Sequence, residues 1–126
     1  MTKDNLLLQV EKLEIDAKEF GFYWQNIDQL LEQIRSECAE VDEAWQKNDR
    51  THLQEEIGDL IHATLCLAVF CQLDPTETLQ KSVHKLQKRF DTLVDLTKKD
   101  GYENLHNKPF NLLMYYWNRA KEILKG

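Results

Sequence analysis

Apolar residues recur along the chain at intervals of three and four, and that period predicts helices from end to end. Over residues 3–20, Leu6, Leu7, Val10, Leu13, Ala17 and Phe20 fall on one stripe, and Gly21 is placed to end the helix. A second amphipathic segment covers 26–47, where Ile27, Leu30, Leu31, Ile34, Cys38, Val41 and Trp45 share a face. Asn48 and Asp49 break it, and a third helix is expected over 51–73. Asp74 and Pro75 then supply an N-cap and a first helical residue. The fourth helix runs from there to residue 99, with Leu79, Val83, Leu86, Phe90 and Val94 on its apolar side. Asp100-Gly101 stops it, and a polar loop over 102–108 leads to Pro109, which opens a last helix containing Trp117 and ending near Leu124. No strand period competes. The expected fold is all-α, an antiparallel bundle of about five helices.

The third helix departs from simple amphipathicity. From Leu60 to Cys71 almost every direction around it is apolar, which predicts burial on more than one side. A chain of 126 residues has few ways to surround a helix, so this helix is expected to pack against a second copy, as a homodimer or homotetramer. The alternative is a central helix ringed by its own four neighbours.

Length fits one domain, 1–126. Two prolines and four glycines are too few for a turn-rich β architecture. A net charge of −6 excludes nucleic acid as an expected partner, because phosphate backbones call for a basic face. Cys38, Cys66 and Cys71 form no CxxC pair or Cys/His cluster, so zinc is not expected and buried reduced thiols are. The N-terminus lacks the basic and apolar regions of a signal peptide. The longest apolar stretch, interrupted by His62, Thr64 and Gln72, is short of the roughly 20 residues a membrane helix needs. A cytoplasmic protein with no membrane partner is expected.

Candidate chemistry lies in two acidic pairs, Glu37 with Glu40 and Glu56 with Asp59. Each pair has i, i+3 spacing, which sets both side chains on one helical face. The pairs sit on consecutive helices joined by a short turn, so four carboxylates can converge from facing helices. At about 100° per residue, Glu56 falls inside the arc of Leu60, Ala63 and Leu67, with Asp59 beside it. Glu37 borders the stripe of Ile34, Cys38 and Val41, and Glu40 is the most peripheral. Glu55 and Glu43 project to polar sides. Most i, i+3 acidic pairs are solvated faces, and the chain has 22 acidic residues. Carboxylates on an apolar face, however, are costly and mutually repulsive unless a cation lies between them. Hard oxygen ligands select Mg²⁺, or Mn²⁺, over zinc.

Lys85, Lys88 and Arg89 form a basic cluster on the fourth helix. Lys85 and Arg89 are i, i+4 neighbours able to hold phosphate oxygens, Arg as a fork and Lys as a point charge. The alternative is a solvated basic face. His52, His62, His84 and His106 show no ligand or triad spacing, and no nucleophile with a matched base is visible.

Together these residues resemble the MazG-like, all-α nucleoside-triphosphate pyrophosphohydrolases. Their ExxE…ExxD pattern is matched by Glu37-Cys38-Ala39-Glu40 and Glu56-Ile57-Gly58-Asp59. Lys85-Leu86-Gln87-Lys88-Arg89-Phe90 resembles the family's K-F-x-R-R-F segment, and Asp100-Gly101-Tyr102 and Trp117-Asn118-Arg119-Ala120-Lys121 resemble its closing stretch. Trp24 corresponds to a tryptophan ahead of the first acidic helix. The resemblance covers residues 22–122, with one departure: Val83 stands where the family often has asparagine two positions before the lysine.

The resemblance implies hydrolysis of a nucleoside triphosphate between the α and β phosphates, giving monophosphate and pyrophosphate. It assigns Glu37, Glu40, Glu56 and Asp59 to metal and catalysis, and Lys85, Arg89, Lys121 and Trp24 to the substrate, Trp24 or Trp117 as a base-stacking surface. Two competing readings are a non-catalytic helical oligomer with a structural or regulatory divalent ion, and a related hydrolase with other phosphate products.

Overall fold

The computed structural model describes residues 6–125. It contains five helices and, among the described residues, no strand: α1 (Leu6–Phe20), α2 (Ile27–Gln46), α3 (Arg50–Phe70), α4 (Pro75–Lys99) and α5 (Phe110–Lys125). The all-α expectation holds. The expected start of the first helix at Lys3 lies outside the described residues.

Local chemistry sets most boundaries. Asn26, Asp49 and Asp74 cap α2, α3 and α4, each side-chain oxygen accepting from the backbone N–H three residues on, at 2.9, 3.1 and 2.8 Å. Gly21 and Gly101 adopt φ +101° and +92°, so the chain turns out of α1 and α4 with paired 6→1 and 5→2 hydrogen bonds. The third helix is shorter than its composition suggests. Gln72 takes the left-handed position at φ +61° and closes the same motif, with Leu73 N–H donating to Ala68 C=O, so α3 ends at Phe70 and not at 73.

The chain divides into two compact units, Met1–Thr78 and Leu79–Gly126. In the first, α3 packs along α2 and against α1. The buried line of α2 is Leu30, Glu37 and Ala44, recurring every seven residues; on α3 it is Leu53, Ala63 and Cys66. A heptad line of this kind keeps one edge of a helix on its partner. It runs one residue, about 100°, away from the Cys38–Trp45 edge. Cys38 is therefore exposed and Trp45 is 60% exposed, contrary to the expected stripe. Cys71 is also exposed, leaving Cys66 as the buried thiol. Ile57 and Ile61 on α3 are exposed as well.

In the second unit Asp100 ties the end of α4 to α5. It accepts from the Tyr116 hydroxyl at 2.6 Å and lies 3.4 Å from the Arg119 guanidinium. That hydrogen bond is the main reason the Tyr116 phenol is pushed up to about 12. Tyr102 meets the Tyr116 ring edge-on. Leu79, Val83, Leu86 and Phe90, the expected apolar side of the fourth helix, are exposed. No single helix is long and apolar enough to cross a membrane among the described residues.

Candidate metal centre

Glu37 occupies the middle of the buried line of α2, between Leu30 and Ala44, where packing alone would place an aliphatic residue. Facing it on α3 are Glu56 and Asp59. The three offer carboxylate oxygens that all lie within 4.8 Å of one another. Glu37 is 8% exposed and the Glu56 side chain 13%. Glu37 is thus buried at least as deeply as Glu56, which the helical wheel had ranked first.

Glu40 stands apart from this trio. Like Asp59 it is exposed, and its carboxyl group interacts with that of Glu56. A proton shared with Glu56, followed by the Glu56 charge, raises the Glu40 pKa above the usual carboxylate value. Burial, followed by the charge of Glu40, raises that of Glu37. Like charges collected against an apolar seam destabilise one another until they are neutralised by a proton or a cation.

Two side chains that sequence reasoning passed over hold these carboxylates. Gln33 Nε2 donates to Glu37 Oε1 at 2.7 Å, and His52 Nε2 lies 3.1 Å from Glu56 Oε1. Each partner sits four residues ahead of its carboxylate on the same helix, and that i, i+4 spacing is the signal that could have found them. The second oxygen of each carboxylate, Glu37 Oε2 and Glu56 Oε2, is buried without a hydrogen-bond partner. Orphaned buried carboxylate oxygens carry a large desolvation cost, and a hard divalent cation between them is what this donor set fits.

Glu37 and Asp59 open on a cavity of about 520 Å³. Its lining combines Glu37 and Asp59 with Leu13 and Ala17 of α1, Phe22 and Trp24 of the following connection, and Leu30. Trp24 and two of the predicted acidic residues therefore share one cavity. In the second unit Lys85, Arg89 and Lys121 line a common depression with Lys88 and Lys125. Arg89 also stacks over the Trp117 ring at 5.8 Å.

The expectation that no cysteine meets a histidine is overturned. Cys66 and His62 are i, i+4 neighbours on α3, and Glu14 of α1 joins them to form a second group with ligand atoms inside 4.8 Å. The chain fold supplies Glu14 from far away in sequence, so no local motif announces it.

Residues 25–94 match the model of the MazG nucleotide pyrophosphohydrolase domain, a span that contains all four acidic positions together with Lys85 and Arg89. The chain belongs to the MazG family. A Thermotoga maritima protein named nucleoside triphosphate pyrophosphohydrolase/pyrophosphatase MazG is 33% identical over 115 residues, covering 91% of this chain and 44% of that protein. An Escherichia coli K12 nucleoside triphosphate pyrophosphohydrolase is 30% identical over 99 residues, covering 77% of this chain and 38% of that protein. The chain thus spans less than half the length of these MazG relatives. The MazG match starts just after Trp24 and excludes α1, Trp117 and Lys121.

Proposed function

We propose that this chain is a Mg²⁺-dependent nucleoside-triphosphate pyrophosphohydrolase, releasing the nucleoside monophosphate and pyrophosphate. The observation that carries the reading is the pair of buried, unpartnered oxygens, Glu37 Oε2 and Glu56 Oε2, in a chain of the MazG family. Glu37, Glu56 and Asp59 would hold the ion, with Glu40 completing the set; Mn²⁺ suits the same oxygens. When bound, the ion supplies neutralisation of phosphate charge and a more acidic water. Gln33 and His52 keep the two buried carboxylates in one orientation.

The cavity beside the trio suits the nucleobase, with Trp24 as a stacking surface and Leu13, Ala17 and Phe22 excluding water. Lys85, Arg89 and Lys121 are proposed to bind phosphate oxygens, supported by their shared basic depression. A carboxylate not engaged by the ion accepts the proton of the attacking water. The assembly is proposed to be a homodimer or homotetramer of this chain, supported by the exposed apolar side chains of Ile57 and Ile61 on α3. A cytoplasmic setting accords with three free cysteines.

Phosphorus NMR across a panel of canonical and modified triphosphates, with Mg²⁺ present, tests the reading. Pyrophosphate and monophosphate should appear together; orthophosphate as the primary product, or no turnover on any of the panel, would overturn it.

A further inference from the structure

We propose that Glu14, His62 and Cys66 form a second metal site, one that takes a thiophilic divalent cation such as Zn²⁺. The Cys66 thiol is 3% exposed and donates to Glu14 Oε1 at 3.0 Å, and its sulfur lies 3.6 Å from His62 Nε2. Tetrahedral zinc, with bond lengths of roughly 2.3, 2.0 and 2.1 Å to sulfur, nitrogen and oxygen, sets the sulfur about 3.5 Å from the nitrogen and about 3.6 Å from the oxygen. The sulfur–nitrogen separation of 3.6 Å is already within about 0.1 Å of that value. The sulfur–oxygen separation needs to open by about half an ångström, which is the exchange of a hydrogen bond for a shared ion.

The donor set separates this site from the carboxylate trio. Glu37, Glu56 and Asp59 offer hard oxygens only, whereas a thiolate and an imidazole select softer ions. Asp59 and His62 follow each other by one turn on α3, and all three new ligands line the cavity that also receives Glu37 and Asp59. Three protein ligands leave a fourth position for water. On binding, the Cys66 thiol gives its proton to solvent as the sulfur–metal bond forms, and the ion then ties α1 to α3.

The test uses the full chain in a Cys38→Ser, Cys71→Ser background, so that Cys66 is the sole thiol. Titration with Co²⁺ alone should produce a thiolate-to-metal charge-transfer band in the near ultraviolet, and Zn²⁺ should displace it with one equivalent bound per chain. Glu14→Gln and His62→Gln should each weaken Zn²⁺ tenfold or more while leaving the thiol in place. These two variants keep the test decisive if Cys66→Ser fails to fold. Glu56→Gln should leave the band intact. Absence of the band, unchanged Zn²⁺ affinity in both Glu14→Gln and His62→Gln, or loss of the band in Glu56→Gln would each overturn the site. None of these readouts requires pyrophosphohydrolase activity, so they stand apart from the proposed function.

Discussion

The Gln33 amide donates to Glu37 Oε1 at 2.7 Å from one turn earlier on α2, while Oε2 of the same carboxylate stays buried with no partner. One oxygen is fixed, and the other is the one proposed to meet the ion. Gln33→Leu should therefore weaken Mg²⁺ binding by about 10–100-fold, the range found when a residue orienting a metal ligand is removed. Calorimetric titration with Mg²⁺ measures it; an unchanged affinity would remove Gln33 from the positioning role. His52→Ala should act in the same direction through Glu56.

Removing a carboxylate separates catalysis from folding. Glu56→Gln should abolish pyrophosphate release yet melt at or above the wild-type temperature in chelator, because one of several mutually repelling carboxylates has gone. A variant that fails to fold even in chelator would favour a structural role for this residue.

Acidity should reveal the same repulsion with a definite sign. The Glu37 pKa lies above its ordinary 4.5 in the folded chain, so folding takes up a proton there. Stability from that proton is present below pH 4.5 and lost as pH rises through the folded value. Glu40, also raised, acts in the same direction. Without metal, the melting temperature of wild type should fall relative to Glu37→Gln as pH climbs from 4.5 toward neutrality. Parallel curves would contradict it.

The basic depression makes a kinetic prediction. Lys85→Ala and Arg89→Ala should each lower kcat/KM by about 10–100-fold, the equivalent of one charge-assisted hydrogen bond of about 1.5–3 kcal/mol. Arg89→Lys should recover little, since it forfeits both the fork and the stacking on Trp117. Steady-state kinetics of the three variants decide it.

Gly21 holds φ +101° at the end of α1, where a Cβ would meet no atom within 4 Å. The objection to a side chain is conformational and not steric crowding by neighbours. Gly21→Ala should cost about 1–2 kcal/mol, readable by urea unfolding.

Much of this architecture was legible because it is written locally. Asn26, Asp49 and Asp74 announce helix starts, and the spacing of Glu37, Glu40, Glu56 and Asp59 brings four carboxylates to two facing helices. What escaped depends on the chain as a whole. Gln72 ends α3 although nothing in its side chain favours the left-handed conformation. Cys38 and Trp45 satisfied a plausible stripe, yet the line that packs runs through Glu37, a residue that hydropathy assigns to water. Glu14 meets Cys66 only because α1 lies on α3, which no spacing along the sequence encodes.

The carboxylates Glu37 and Glu56 are oriented by Gln33 and His52, residues of their own helices. Helix α1 instead contributes Leu13, Glu14 and Ala17 to the cavity, and it lies outside the matched domain. The carboxylates proposed to hold the ion and the wall beside them are thus set by different helices. Substitutions in that wall can change what the cavity admits while Glu37 and Glu56 keep the partners that orient them.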